Sequence, residues 1–120
     1  MVKKTLILGA SLNIERYSNR AVKDLLLKGF NVVAIGSKDG VLSGIKVRKT
    51  LKYYKNIHTI SVYINKDLQK QYYDYILTLS PSRVIFNPGT ENPDFYKKLA
   101  KHSIHFEESC TLVLLSTNQY

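Results

Sequence analysis

At 120 residues, 44% apolar and 22% charged, the chain fits one ordinary globular domain with a single buried core. No apolar run approaches the ~20 residues that span a bilayer, and the stretch after the basic start Met-Val-Lys-Lys breaks at Gly9, so it reads as a first strand rather than a signal peptide. Lys and Arg outnumber Asp and Glu by 18 to 9, a net +9 that favours an anionic partner without choosing among nucleic acid, acidic lipid and polyphosphate. The single cysteine, Cys110, excludes an internal disulfide and fits a reducing cytoplasm.

Short branched runs alternate with longer helical patterns. "KTLIL" (4–8) ends in Gly and has the continuous apolar character of a central parallel strand. "SNRAVKDLLLKG" (18–29) predicts a helix with Ser18 as N-cap, Ala21, Val22, Leu25 and Leu26 at helical spacing, and Gly29 as its stop. "NVVAI" (31–35) is a second strand, "GIKV" (44–47) a short edge strand and "HTISVYI" (58–64) another strand. "DLQKQYYDYILTLS" (67–80) predicts a helix capped by Asp67 and ended by Pro81. "RVIFN" (83–87) is a strand, "NPDFYKKLAKH" (92–102) a helix with Pro93 just inside its start, and "IHFE" (104–107) the last strand. The tail "CTLVLLS" (110–116) fits a strand or a short helix, and we read it as helix. This alternation predicts an α/β domain: a doubly wound, mostly parallel sheet of five to six strands with helices on both faces.

In such a sheet a ligand sits beyond the carboxyl ends of the strands. Three loops there have unusual chemistry. After the first strand, Gly9 permits a tight turn, and Ala10 and Ser11 are small enough for a phosphate to reach main-chain N–H groups. Asn13 and Arg16 add donors, and the helix after Ser18 aims its positive dipole end at the same place. A dinucleotide fingerprint would carry glycine at positions 11 and 14, where this chain has Ser11 and Ile14. After the second strand, Gly36, Ser37 and Lys38 replace the acidic residue of a typical NAD site, and suit a phosphate on the ribose. The third loop, Asn87-Pro88-Gly89, makes a sharp turn on the crevice side, with Thr90 or Asn92 available to cap the next helix.

The stretches "LILGASLNIERYSNRAVKDLLLKGFNVVAIG", "GIKV", "RVIFNPGTEN" and "EESCTLV", in this order and over nearly the whole chain, resemble the stand-alone CoA-binding domain family. That family has a Rossmann-like fold related to the N-terminal domain of the succinyl-CoA synthetase alpha subunit. The resemblance implies a single Rossmann-like CoA-binding domain over residues 1–120, with coenzyme A or an acyl-CoA as the ligand. It places Gly9, Ala10, Ser11, Asn13, Arg16 and Ser18 at the pyrophosphate, Gly36, Ser37 and Lys38 near the adenosine end, and Asn87, Pro88 and Gly89 on the crevice wall. Many members carry Asn-Pro where this chain has Gly36-Ser37.

Nothing in the sequence assembles a catalytic or metal-binding set. His58, His102 and His105 read as structural or surface histidines, and Glu107 and Glu108 as a solvated strand-end pair. Cys110, at a strand end and, with the tail read as helix, at a helix start, is the one candidate reactive group; in the crevice it could meet the thiol of CoA, or it could simply pack. Tyr53 and Tyr54 among Lys49, Lys52 and Lys55 could stack bases, but without a recognition motif the expectation is a solvated basic helix. The reading is therefore a cytoplasmic, non-catalytic CoA- or acyl-CoA-binding protein with a small nucleotide ligand and no membrane partner. The alternatives are an NADP-linked oxidoreductase subunit, with Lys38 on the 2′-phosphate, and a basic nucleic-acid-binding module using residues 46–55.

Overall fold

The apolar runs become strands β1 (Lys4–Ala10), β2 (Asn31–Gly36), β3 (Gly40–Leu42), β4 (Ile45–Arg48), β5 (Thr59–Val62), β6 (Arg83–Phe86) and β7 (His105–Glu108). The computed structural model describes residues 3–120, so Met1 and Val2 of the basic start lie outside the described residues. The helices are α1 (Tyr17–Leu27), α2 (Lys66–Gln69), α3 (Tyr73–Leu79), α4 (Pro93–Lys101) and α5 (Thr111–Ser116). One seven-stranded sheet runs β3-β4-β2-β1-β5-β6-β7, parallel throughout except for the β3–β4 hairpin.

The sheet is wider than the five to six strands expected, because Gly40–Leu42 folds back onto β4. That hairpin also moves β4 inward: "GIKV" pairs with β2 on one side and β3 on the other, and is not an edge.

Alternation sorts side chains onto two faces. Leu6, Leu8, Ile35, Ile60, Val62, Val84 and Phe86 pack against Ile76 and Leu79 of α3 and Phe95 and Leu99 of α4. On the other face Ile7, Val32, Ala34 and Val47 pack against Ala21, Val22 and Leu25 of α1 and Leu115 of α5. The second face turns polar toward β6 and β7. There Arg83 donates to Thr59 Oγ1 at 3.1 Å, pairs with Glu107 at 3.3 Å and lies 4.6 Å from the centre of the Tyr120 ring. Tyr120 also bonds Thr5, while Lys3 Nζ reaches the Tyr120 carbonyl at 2.7 Å.

Helix starts differ from expectation in two places. Helix α1 begins one residue before Ser18, with Arg16 at the N-cap making no side-chain cap bond, and Ser18 lies buried inside the first turn. The predicted helix 67–80 is capped by Asn65, whose side chain accepts from Leu68 N, and not by Asp67. It is broken by a 3₁₀ turn at Lys70–Tyr72. The tail is helical, as read. The basic stretch is no helix: residues 46–48 belong to β4, and residues 49–58 are irregular. Tyr75 Oη donates to Lys52 O there, and Asn56 sits at a positive φ of 61°, geometry that a continuous helix does not allow.

Candidate functional site

Strand order reverses at β1: the chain builds outward through β2, then returns to its other side with β5. The crevice of such a sheet opens beyond the carboxyl ends of these two strands. Gly9 is an extra residue in β1, bulged out of register between Leu8 and Ala10 at a φ of 96°. A Cβ there would lie 2.8 Å from Ile64 Cγ2 and 3.0 Å from the Tyr63 carbonyl carbon, so both conformation and space require glycine. At Gly36 a Cβ would fall 2.3 Å from Ala10 O. These two glycines let the ends of β1, β2 and β5 close against one another.

The loop from Ser11 to Arg16 holds itself by local bonds. Ser11 Oγ accepts from Asn13 N at 3.1 Å, Asn13 Oδ1 accepts from Glu15 N at 2.9 Å, and Asn13 O accepts from Arg16 N at 3.1 Å. Among the described residues the backbone N–H groups of Ser11, Leu12, Ile14, Tyr17 and Ser18 find no acceptor. Of these, Tyr17 and Ser18 stand in the first turn of the 11-residue helix α1, where no side chain caps the free donors, and the other three lie in the loop before it. Asn13 and Arg16 are exposed beside them, Ser11 is half-buried and Ala10 is buried.

Ser37 and Lys38 are exposed just past Gly36. Asp39 belongs to the turn, its carboxylate accepting from Lys49 N at 2.9 Å. Leu12 bridges the first two loops by packing on Gly40, where a Cβ would come within 2.6 Å of it.

The third loop is a structural node. Asn87 is buried; its Nδ2 donates to Ser61 Oγ and Val62 O, both at 2.8 Å, and its Oδ1 accepts from Thr111 N at 2.9 Å. Its side-chain amide is thus used inside the fold, tying β5, β6 and α5. Pro88 and Gly89 remain exposed, and Asn92 rather than Thr90 caps α4. Behind them Gln69 donates to Ile64 O and Thr90 O, while Asn92 donates to Gln69 and to Tyr73 Oη. Cys110 is half-buried at the N-cap of α5, next to Thr111, whose hydroxyl bonds Ser61 at 2.7 Å.

The carboxylates at the end of β7 are engaged. Glu107 pairs with Arg83, and Glu108 accepts from Tyr96 Oη at 2.8 Å, so the two are not a free solvated pair. Burial, then the Glu108 bond, pushes Tyr96 up to about 12. Burial likewise pushes Tyr63, just past β5, up to about 12, and its hydroxyl has no partner among the described residues. His58 is held below its ordinary value by burial and then by Lys3 and Arg83; its Nδ1 bonds Thr59 at the opposite end of the sheet from the crevice. Among the described residues no cluster of His, Cys, Asp and Glu could hold a metal, and no helix is long and apolar enough to cross a membrane.

Sequence reasoning missed the supporting residues Asn19, Ser61, Gln69 and Thr111. One signal was available for Asn19. It stands three residues before Val22 and seven before Leu26, a polar residue on the apolar stripe of α1.

The sequence matches the family model described as "CoA binding domain" over residues 3–116. Among solved structures, a crystal structure of an uncharacterized protein is 38% identical, covers 100% of this chain and 99% of its own, and superposes with a TM-score of 0.96. A conserved hypothetical protein from Pyrococcus furiosus is 25% identical over 92% of this chain and 97% of its own, with a TM-score of 0.83. A Thermus thermophilus structure is 19% identical over 99% of this chain and 91% of its own, with a TM-score of 0.86, and shares the fold. No curated protein matches the sequence. A Rossmann-like sheet, a glycine-bulged first strand opening on unpaired donors, and a family match from residue 3 to residue 116 lead to one conclusion: the chain belongs to the CoA-binding domain family.

Proposed function

We propose that the protein binds coenzyme A or an acyl-CoA without transforming it, as a single cytoplasmic domain, and that the loop after β1 holds the pyrophosphate. The observation that carries this is the set of five N–H groups without an acceptor among the described residues: Ser11, Leu12 and Ile14 in the loop, and Tyr17 and Ser18 in the dipole-positive first turn of α1. Asn13 and Arg16 add side-chain donors to the same anion, and Gly9 and Ala10 keep its floor low. Gly36, Ser37 and Lys38 take the adenosine end, with the Lys38 ammonium on the 3′-phosphate. The exposed Pro88 and Gly89 and the half-buried Cys110 line the far wall, over a turn that the Asn87 amide makes rigid. The net +9 draws a polyanionic ligand toward the crevice.

Calorimetric titration with CoA and with NAD tests the reading. CoA should bind clearly and NAD weakly or not at all, since no acidic side chain stands at the end of β2 to accept from the ribose hydroxyls of NAD, and Asp39 beyond it is held in the turn by Lys49 N. Equal affinity for the two would overturn it.

A further inference from the structure

Asn19 is fully buried in the first turn of α1, yet it is not a satisfied core residue. Its Nδ2 donates to the Ser11 carbonyl at 2.8 Å, and its Oδ1 is enclosed with no donor in reach among the described residues. Leaving a buried acceptor unpaired costs stability, and an apolar side chain of the same volume would avoid that cost. Turning the amide over gives no relief, because it would set Oδ1 against the Ser11 oxygen. The fold therefore carries an unfavourable group in order to grip one carbonyl of the first loop.

That grip has a consequence for the next residue. A trans peptide is planar, so the carbonyl of Ser11 and the N–H of Leu12 point in opposite directions. Drawing the Ser11 oxygen down onto Asn19 turns the Leu12 N–H up, away from the core, and that N–H has no acceptor among the described residues. We propose that Asn19 is a positioning residue that presents the Leu12 N–H to the phosphates, a role that rests on the CoA reading given above. Asn19 does not touch the ligand. It acts through the Ser11–Leu12 peptide, trading fold stability for a preset donor.

The test uses Asn19→Leu, which keeps the branching at Cγ in a larger apolar side chain, and Asn19→Ala, which keeps the fold accessible if leucine overfills the site. CoA, 3′,5′-ADP and pantetheine are titrated into the parent and both variants, and thermal midpoints are recorded. The expected result in both variants is a loss of fivefold or more for CoA and 3′,5′-ADP, with no change in whatever weak binding pantetheine shows; the midpoint of Asn19→Leu stays near the parent's, and that of Asn19→Ala falls because it leaves a cavity. Unaltered CoA affinity in a folded variant overturns the proposal, as does a loss of affinity found only in a variant whose midpoint has fallen. Residual dipolar couplings of the Leu12 N–H, measured without ligand, separate this proposal from the CoA reading. A reorientation in Asn19→Leu supports the positioning role, and an unmoved vector overturns it. Absence of CoA binding by the parent overturns the CoA reading on its own evidence and, with it, the ligand half of this role.

Discussion

Ser11, half-buried, and Lys38, exposed, both lie outside the core, so changing them separates binding from folding. Ser11→Asp puts a carboxylate among the loop donors, where repulsion and lost charge-assisted bonds act together. At roughly 1.5–3 kcal/mol per such bond and about 1.4 kcal/mol per tenfold, CoA affinity should fall at least about tenfold, with the thermal midpoint nearly unmoved. Lys38→Glu should weaken CoA more than dephospho-CoA, and titration of both ligands reads the difference. Asn87 behaves in the opposite way. Asn87→Ala removes three buried hydrogen bonds at once and strands the Thr111 N–H and the Val62 carbonyl. Chemical denaturation should show a loss of roughly 2–4 kcal/mol, a stability defect first and a binding defect second. The residue types at positions 87 to 89 were legible as a crevice turn, but the commitment of the Asn87 amide inward was not. Which way a buried amide faces depends on partners 24 to 26 residues away in sequence.

At the scale of elements, local patterns read well where burial is two-sided and badly where an end is set by tertiary partners. The run 4–8, covered on both faces, gave β1 directly, and the Asn92-Pro93 start gave α4. The start of α1 was misplaced because no side chain caps it: with Arg16 at the N-cap, its first N–H groups stay open, and a rule that looks for a capping hydroxyl moved the start inward to Ser18. The missing cap that hides the start of α1 in the sequence is also what leaves the donors free. Strand β3 escaped notice because three residues carry no period, and only pairing with β4 defines it. Helix α3 ends on Ser80 at a φ of 48°, a left-handed conformation that costs a side chain strain and glycine none. Because Ser80 is exposed, Ser80→Gly should raise stability by up to about 1 kcal/mol, measured by denaturant unfolding. A loss of stability there would mean that the hydroxyl does something the geometry does not reveal.

At the scale of the whole molecule, charge is the dominant global term. The extents are 35 × 30 × 27 Å, and among the described residues only Arg83 and Glu107 form an ion pair. At about 0.01 M salt the screening length is ~30 Å, so every cation feels the others across the molecule; at about 0.15 M it is ~8 Å and only neighbours interact. The thermal midpoint should therefore rise by several degrees over that range while CoA association slows, read by calorimetry and stopped flow. A midpoint that falls with added salt would contradict the dominance of self-repulsion. The contact between β1 and the chain's last residue has a further, topological meaning. Because Lys3 and Thr5 meet Tyr120, residues far apart in sequence close on one another at the amino-terminal end of the central strand, opposite the crevice loops. A link between residues 3 and 120, with the chain opened instead at the exposed Ser43-Gly44 hairpin tip, would sever no loop of the crevice. The crevice thus depends on how the strands lie side by side, and hardly at all on the order in which the chain visits them.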